Sequence, residues 1–326
     1  MIWIGTIASL AVLWILGALT LTVFGARPRN GAHAIAADFA AGVSVLAALG
    51  MTAVALGLSL SLAPFYAVVL VLGVRVVRQR SLPSPSFALP AAPAARAALV
   101  CTALVVAVIA AASLHDRLWW DGWAIWALKG RALFMDGTLP PSLFAGGYAF
   151  AHLDYPLAVP LVDWWSWRHA GRSTPAAASF IGALWFTLLP ALLWSGLRYR
   201  VHETVAALAA LGMALFWPIP FYATGGTADV VIAVALLGAI VELDAALTRA
   251  DDRAIIRCAL FLTLGVLAKN EGLAIAAVVV TIAAASLLRR GHRSIRQFAP
   301  LALPFVVIAP WWVFVGALDT RGTVLA

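Results

Sequence analysis

Long apolar runs, broken by short polar clusters, organise this chain. They fall at 2–26, 36–59, 61–77, 97–114, 176–196, 204–222, 229–248, 255–268, 272–288 and 298–316. A helix needs about 20 predominantly apolar residues to cross hydrocarbon, so the pattern predicts an all-α polytopic membrane protein with about ten transmembrane helices. The first run lacks the basic start and short apolar segment of a signal peptide and is followed at once by Arg27 and Arg29, which marks a retained helix. One further apolar stretch, 155–167, holds only about 13 residues, with Asp163, Trp164, Trp165 and Trp167 among them. It is too short for a span and reads as an interfacial helix.

The basic residues test that choice, because cytoplasmic loops are enriched in Lys and Arg near span ends. With 155–167 left out of the spans, 15 of the 22 basic residues fall on one side, in the clusters around Arg27, Arg78, Arg198, Arg253 and Arg290. The other side receives Arg117, Lys129, Arg131, Arg168, Arg172, Lys269 and Arg321. Counting 155–167 as a span would invert everything after it and destroy the bias. The expected layout has the N-terminus and the long loop 115–175 outside and the Pro/Ser/Ala linker 81–95 inside. It divides the chain into N-terminal helices with their cytoplasmic linker, 1–96, and a module at 97–326 that carries the large outer loop. The expected location is a bacterial inner membrane, multi-pass, with the active site facing the periplasm.

Composition then removes whole classes of function. The chain is 63% hydrophobic and 11% charged, with mean hydropathy +0.98, against about 25% charged in a soluble domain. No large soluble catalytic domain fits, so any activity must be built from helix ends and loops. The net charge of +8 is spread in short clusters between spans and forms no folded basic face, which argues against a nucleic-acid partner. Cys101 and Cys258 lie inside apolar runs and read as packing residues. No Walker-type glycine loop, Cys/His metal spacing or nucleophile elbow occurs.

Candidate chemistry concentrates in the outer loop, which holds seven of the 14 tryptophans. A wheel at 100° per residue over 119–136 puts Trp119, Trp123, Trp126, Leu133 and Phe134 on one side and Asp121, Lys129 and Asp136 on the other, an amphipathic helix lying at the interface. Asp121, between Trp120 and Gly122, is either a helix N-cap or a carboxylate in a partly dehydrated setting that can accept a proton. Asp154, ahead of Tyr155-Pro156, is open to the same two readings. His152 and His115 are secondary candidates. Asp229 follows Thr224-Gly225-Gly226-Thr227 at a span start, and Lys269-Asn270-Glu271-Gly272 places three polar residues between two spans, where polar groups mark a cavity or an interface.

These pieces resemble the GT-C integral-membrane glycosyltransferases, above all the bacterial relatives of dolichyl-phosphate-mannose protein mannosyltransferases and aminoarabinose transferases. The resemblance rests on Trp120-Asp121-Gly122-Trp123 through Lys129, on His152-Leu153-Asp154-Tyr155-Pro156-Leu157, on Gly226-Thr227-Ala228-Asp229 and on Gly265 through Gly272, and covers roughly 97–290. It implies a GT-C-like bundle with periplasmic interfacial helices, a polyprenyl-phosphate-linked sugar as donor, and a lipid, glycan or protein acceptor. It makes Asp121 the catalytic base, with Asp154 orienting the acceptor or holding a divalent metal. Lys129, Arg131, His152, Tyr155, Asp229, Lys269 and Glu271 are then the expected substrate-binding residues, and membrane lipids the surroundings. This chain has Asp121-Gly122 where many relatives carry an Asp-Glu pair, more spans before the loop than the one that many have, and an expected truncation at the C-terminus. Two alternatives come from other classes, a transporter or lipid flippase and an inactive partner subunit. Acids placed mostly at helix ends and the lack of an internal repeat count against transport.

Overall fold

A computed structural model describes residues 2–28, 30–79, 85–87, 89–115, 118–144, 147–249, 251–291 and 298–319. The described residues form helices, with one isolated bridge between Asn30 and Ser86 outside them. The helices are α1 (Ile2–Val23), α2 (Gly31–Ala55), α3 (Ala63–Gln79), α4 (Pro93–Ser113), α5 (Leu128–Asp136), α6 (Ala158–Ala170), α7 (Pro175–Leu197), α8 (Glu203–Leu215), α9 (Pro218–Thr224), α10 (Asp229–Arg249), α11 (Asp252–Ala268), α12 (Glu271–Arg289) and α13 (Leu303–Asp319). Prolines set several of the starts. Pro93, Pro175 and Pro218 stand in the first turns of α4, α7 and α9, where a missing N–H costs nothing.

Seven helical segments are long and apolar enough to cross a membrane: α1, α2, α4, α7, α10, α12 and 299–318. The pair α8 and α9, bent by 55° at its break, makes an eighth if it is one span. Each of the ten apolar runs coincides with helix. However, α3 and α11 have 17 residues each, about 25 Å at 1.5 Å per residue, at the lower limit for a span.

Connections expected on one side meet at one end of the bundle. At the first end the amide of Leu60 donates to the Gly137 carbonyl (2.6 Å) and that of Trp119 to Gly225 (3.2 Å), while the Tyr66 hydroxyl meets His169 Nε2 at 2.6 Å. At the opposite end Gly31 N–H donates to Ser86 O (2.9 Å) and Arg257 Nη1 to Ala26 O (2.9 Å). That second end carries a buried ionic network. Glu242 meets both Arg257 Nε and His33 Nε2 at 2.7 Å, Arg257 also reaches Asp251 at 2.6 Å, and Arg27 pairs with Asp38 at 2.8 Å.

One expectation is corrected. The short segment after Tyr155 is a 13-residue helix and no span, as its length requires, but it does not lie on the surface. Trp164, Trp165 and Trp167 are buried, with Trp165 Nε1 donating to Ser9 O at 2.9 Å and its ring edge-on to Phe65 at 5.7 Å. Large apolar side chains occupy most of its circumference and drive it into the protein interior, with Asp163 buried among them and Arg168 exposed at its last turn, so α6 plugs the bundle between α1, α2 and α5.

Candidate functional site

The outer-loop chain enters the bundle rim at Trp119. From Gly122 to Ala127 it runs as a π-helix, closed by the Leu128 N–H on the Trp123 carbonyl, before tightening into α5. This wider turn explains a second correction. A wheel at 100° per residue places Lys129 on the polar outer face, but a π segment bonds i to i+5 and turns less per residue, so every later side chain is rephased. Lys129 rotates inward and is completely buried.

There its ammonium donates to the His152 carbonyl at 2.9 Å and lies 4.9 Å from the Trp126 ring and 5.8 Å from the Tyr155 ring. Burial pushes the Lys129 amine down to about 7, against the opposing pull of the Asp154 charge. His152 adopts a positive φ of 45°, a conformation that costs a non-glycine residue about 1–3 kcal/mol. That turn delivers its carbonyl to Lys129 and stacks its ring on Tyr155 at 4.8 Å.

Tyr155 is the hub. Its ring also stacks on Trp126 at 5.6 Å and has Lys269 Nζ 5.9 Å from its centroid. Burial raises the pKa of its phenol, and so do the charges of Glu271, Asp154 and Asp229, while Lys269 pulls it down. Beside it, Asp154 accepts a hydrogen bond from Asn270 Nδ2 at 2.6 Å, and its own carbonyl accepts from Trp311 Nε1 at 2.9 Å.

The third segment is the turn between α11 and α12. Gly272 fixes it, because a Cβ there would lie 2.1 Å from the Gly265 carbonyl oxygen; the helices meet backbone to backbone and leave Lys269 and Asn270 at the rim. Lys269 Nζ sits between two carboxylates, 3.0 Å from Asp229 and 3.3 Å from Glu271. Burial works to lower its pKa, but these two partners outweigh it and hold the ammonium above its ordinary value.

Asp154, Tyr155, Asp229, Lys269 and Glu271 therefore converge from three distant stretches of chain, with Lys129 and His152 beneath and beside them. Asp121 and Arg131 do not join them. Both are exposed, and Asp121 caps no helix N–H with its side chain. Asp121 does stand on the same rim. Its neighbour Gly122 packs so tightly on the next loop that a Cβ would lie 1.9 Å from the Gly225 oxygen. That contact leaves no room for a side chain at this position. His115 lies in the turn that ends α4; Arg117 and Arg321 lie outside the described residues.

The side chains do not suit a divalent metal. No three His, Cys, Asp or Glu groups come together among the described residues, and the cation held between Asp229 and Glu271 is the Lys269 ammonium. The sequence pattern passed over Asn270 as a partner for Asp154, although it lies in the polar run already marked. Trp311 carried no signal at all, being one apolar residue in the last apolar run. No family model, curated protein or solved structure matches the chain.

Proposed function

We propose that this protein is a membrane glycosyltransferase that moves a sugar from a polyprenyl-phosphate-linked donor to a hydroxyl- or amine-bearing acceptor on the extracytoplasmic face of a bacterial inner membrane. The observation that carries this reading is the meeting of Lys269, Asp229, Glu271 and Asp154 around the Tyr155 ring, at one rim of an apolar bundle. In the corresponding topology α3, α11 and the bent pair α8 and α9 complete ten spans. A lipid phosphate needs a cation at the membrane surface, a sugar needs aromatic faces and hydrogen-bonding carboxylates, and the acceptor needs a base.

Asp121 is assigned as the base. A base must offer an unengaged oxygen to the incoming hydroxyl, and the Asp121 carboxylate is exposed with no hydrogen bond among the described residues, whereas Asp154 is already held by Asn270. The acceptor oxygen attacks the anomeric carbon and its proton passes to Asp121. The bond from that carbon to the phosphate oxygen breaks, leaving its electron pair on the polyprenyl phosphate and inverting the centre. Lys269 is the cation a phosphate can reach, being partly exposed, and it stabilises the charge that develops there. Lys129, sealed under Trp126 and Tyr155, holds the His152–Tyr155 turn in place. Asp154, Asp229 and Glu271 orient sugar and acceptor.

Asp121→Asn, expressed to normal membrane levels and supplied with the lipid-linked sugar, is expected to lose about 10²- to 10⁴-fold in transfer rate. Near-wild-type transfer removes Asp121 from the role. One observation favours a transport reading instead, the His33–Glu242–Arg257 group buried among helices, since ionisable groups inside a membrane bundle mark ion pathways. Substrate accumulation in proteoliposomes without a new glycosidic bond would establish that reading over transfer.

A further inference from the structure

At the end of the bundle opposite that rim, arginines surround a cavity of about 390 Å³. Two of them are committed from behind, Arg27 to Asp38 and Arg257 to Glu242 and Asp251. Arg249 and Arg253 line the same cavity, are exposed, and have no carboxylate within ion-pair distance among the described residues. Arg249 is stacked 4.4 Å over the Tyr199 ring, which fixes its guanidinium at the mouth. The Arg253 guanidinium carbon lies 3.7 Å from where a Cβ on Gly25 would stand, so its side chain packs on the turn that ends α1. One carboxylate, Asp251, also lines the cavity; it pairs with Arg257 and acts on Arg249 at longer range, so four arginines against one lining acid leave the space net basic and suited to an anion.

Asn30 lines this cavity and also a second, neighbouring one of about 310 Å³, whose wall is mostly apolar: Phe87, Leu99, Ala103 and Val106 on one side, Pro190 and Trp194 on the other. Leu99, Ala103 and Val106 stand at i, i+4 and i+7 on α4, so the groove follows that helix inward for about 10 Å. A basic cavity set beside an apolar groove along a candidate membrane-spanning helix, with Asn30 in the wall of both, matches an amphiphile with a negative head.

We propose that this is a binding site for an anionic phospholipid, with its phosphate between Arg249 and Arg253 and one acyl chain in the groove between α4 and α7. Arginine pairs with phosphate through a planar fork of donors, and basic pockets between spanning helices hold the heads of anionic lipids. A soluble phosphate would use the arginines alone and gain nothing from the groove. The proposal is independent of the glycosyltransferase reading and survives its failure.

The test uses the full chain, delipidated in detergent and titrated with phosphatidylglycerol or phosphatidylcholine while bound lipid is counted by native mass spectrometry. Preferential retention of phosphatidylglycerol is expected, weakening about fivefold for each of Arg249→Ala and Arg253→Ala and persisting in Arg249→Lys. Ala103→Trp, which fills the groove, is expected to release phosphatidylglycerol with the arginines intact. Equal retention of the two lipids, or a double arginine variant that keeps the preference, overturns the proposal. So does glycerol 3-phosphate competing as well as the intact lipid, which would make this a soluble-phosphate site. Each variant is compared at matched helicity and elution volume.

Discussion

Lys129 shows what a single residue does here and how little of it a wheel reveals. As one of only two lysines, it stood out in the sequence, but its burial did not, because that depends on six π-helical residues that no propensity marks. The consequence is a pH dependence with a definite sign. The unfolded chain holds the Lys129 proton up to about 10.5, while the fold releases it near 7. Between those values the unfolded state binds more protons, so this group makes stability rise with pH, at a limit of about 1.4 kcal/mol per pH unit. Below 7 the full cost of burying the ammonium is present. Thermal unfolding in detergent, followed between pH 7 and 10 for wild type and Lys129→Met, should therefore show a wild-type midpoint that gains on the variant as pH rises. Parallel curves would mean that the amine is not titrating in the fold. The other lysine was legible for a simpler reason. Lys269 lies in a polar tetrad between two apolar runs, and its partner Asp229 opens the last apolar run but one before it.

At the scale of elements, apolar runs located helices well and their environments poorly. The stretch ending at Trp167 was too short to span, yet the same apolarity that suggested an interface residue by residue means burial when it covers most of the circumference of α6. Close approach between elements was equally invisible, because a glycine reads alike whether it faces space or another backbone. Gly122 and Gly147 make the contrast within one loop. A Cβ at Gly122 would meet the Gly225 oxygen at 1.9 Å, and one at Gly147 would meet nothing within 4 Å. Gly122→Ala must part the Asp121 loop from the loop preceding Asp229, at a cost of about 1–3 kcal/mol for forced overpacking. It should lower the unfolding midpoint by several degrees and reduce transfer, with Gly147→Ala matching wild type in both. Equal behaviour of the two variants would show that the Asp121 loop is not pinned where the proposed mechanism needs it.

The whole molecule is organised by its two polar ends, and these differ in what holds them together. One end is a rim of partly exposed groups around Tyr155; the other is a buried network in which His33, Arg257 and Glu242 complete one another. Counting Lys and Arg along the chain separated the ends, since it needs only the order of runs and loops. Neither network could be read that way, because its members lie on different helices and meet only after packing. The separation itself makes the sharpest demand on α3 and α11, whose 17 residues must each carry the chain from one face to the other. If they do, Leu58 and Arg172, exposed at the rim end, face one aqueous compartment, and Arg253 and Arg290, exposed at the opposite end, face the other. With Cys101 and Cys258 replaced by alanine, single cysteines at Leu58 and Arg172 should react with a membrane-impermeant maleimide from the extracytoplasmic side of intact cells. Cysteines at Arg253 and Arg290 should react only after the membrane is opened. A short helix that fails to cross would break the rule at one identifiable place. Labelling of Arg172 with Leu58 protected would remove α3 or its neighbours from the spans, and labelling of Arg290 in intact cells with Arg253 protected would remove α11 or α12. The first result would put Leu58 and Arg172, which belong to one rim, on two sides of the membrane, and a failure of α11 would put Lys269 on the side opposite Asp121, where the two could not share one phosphate.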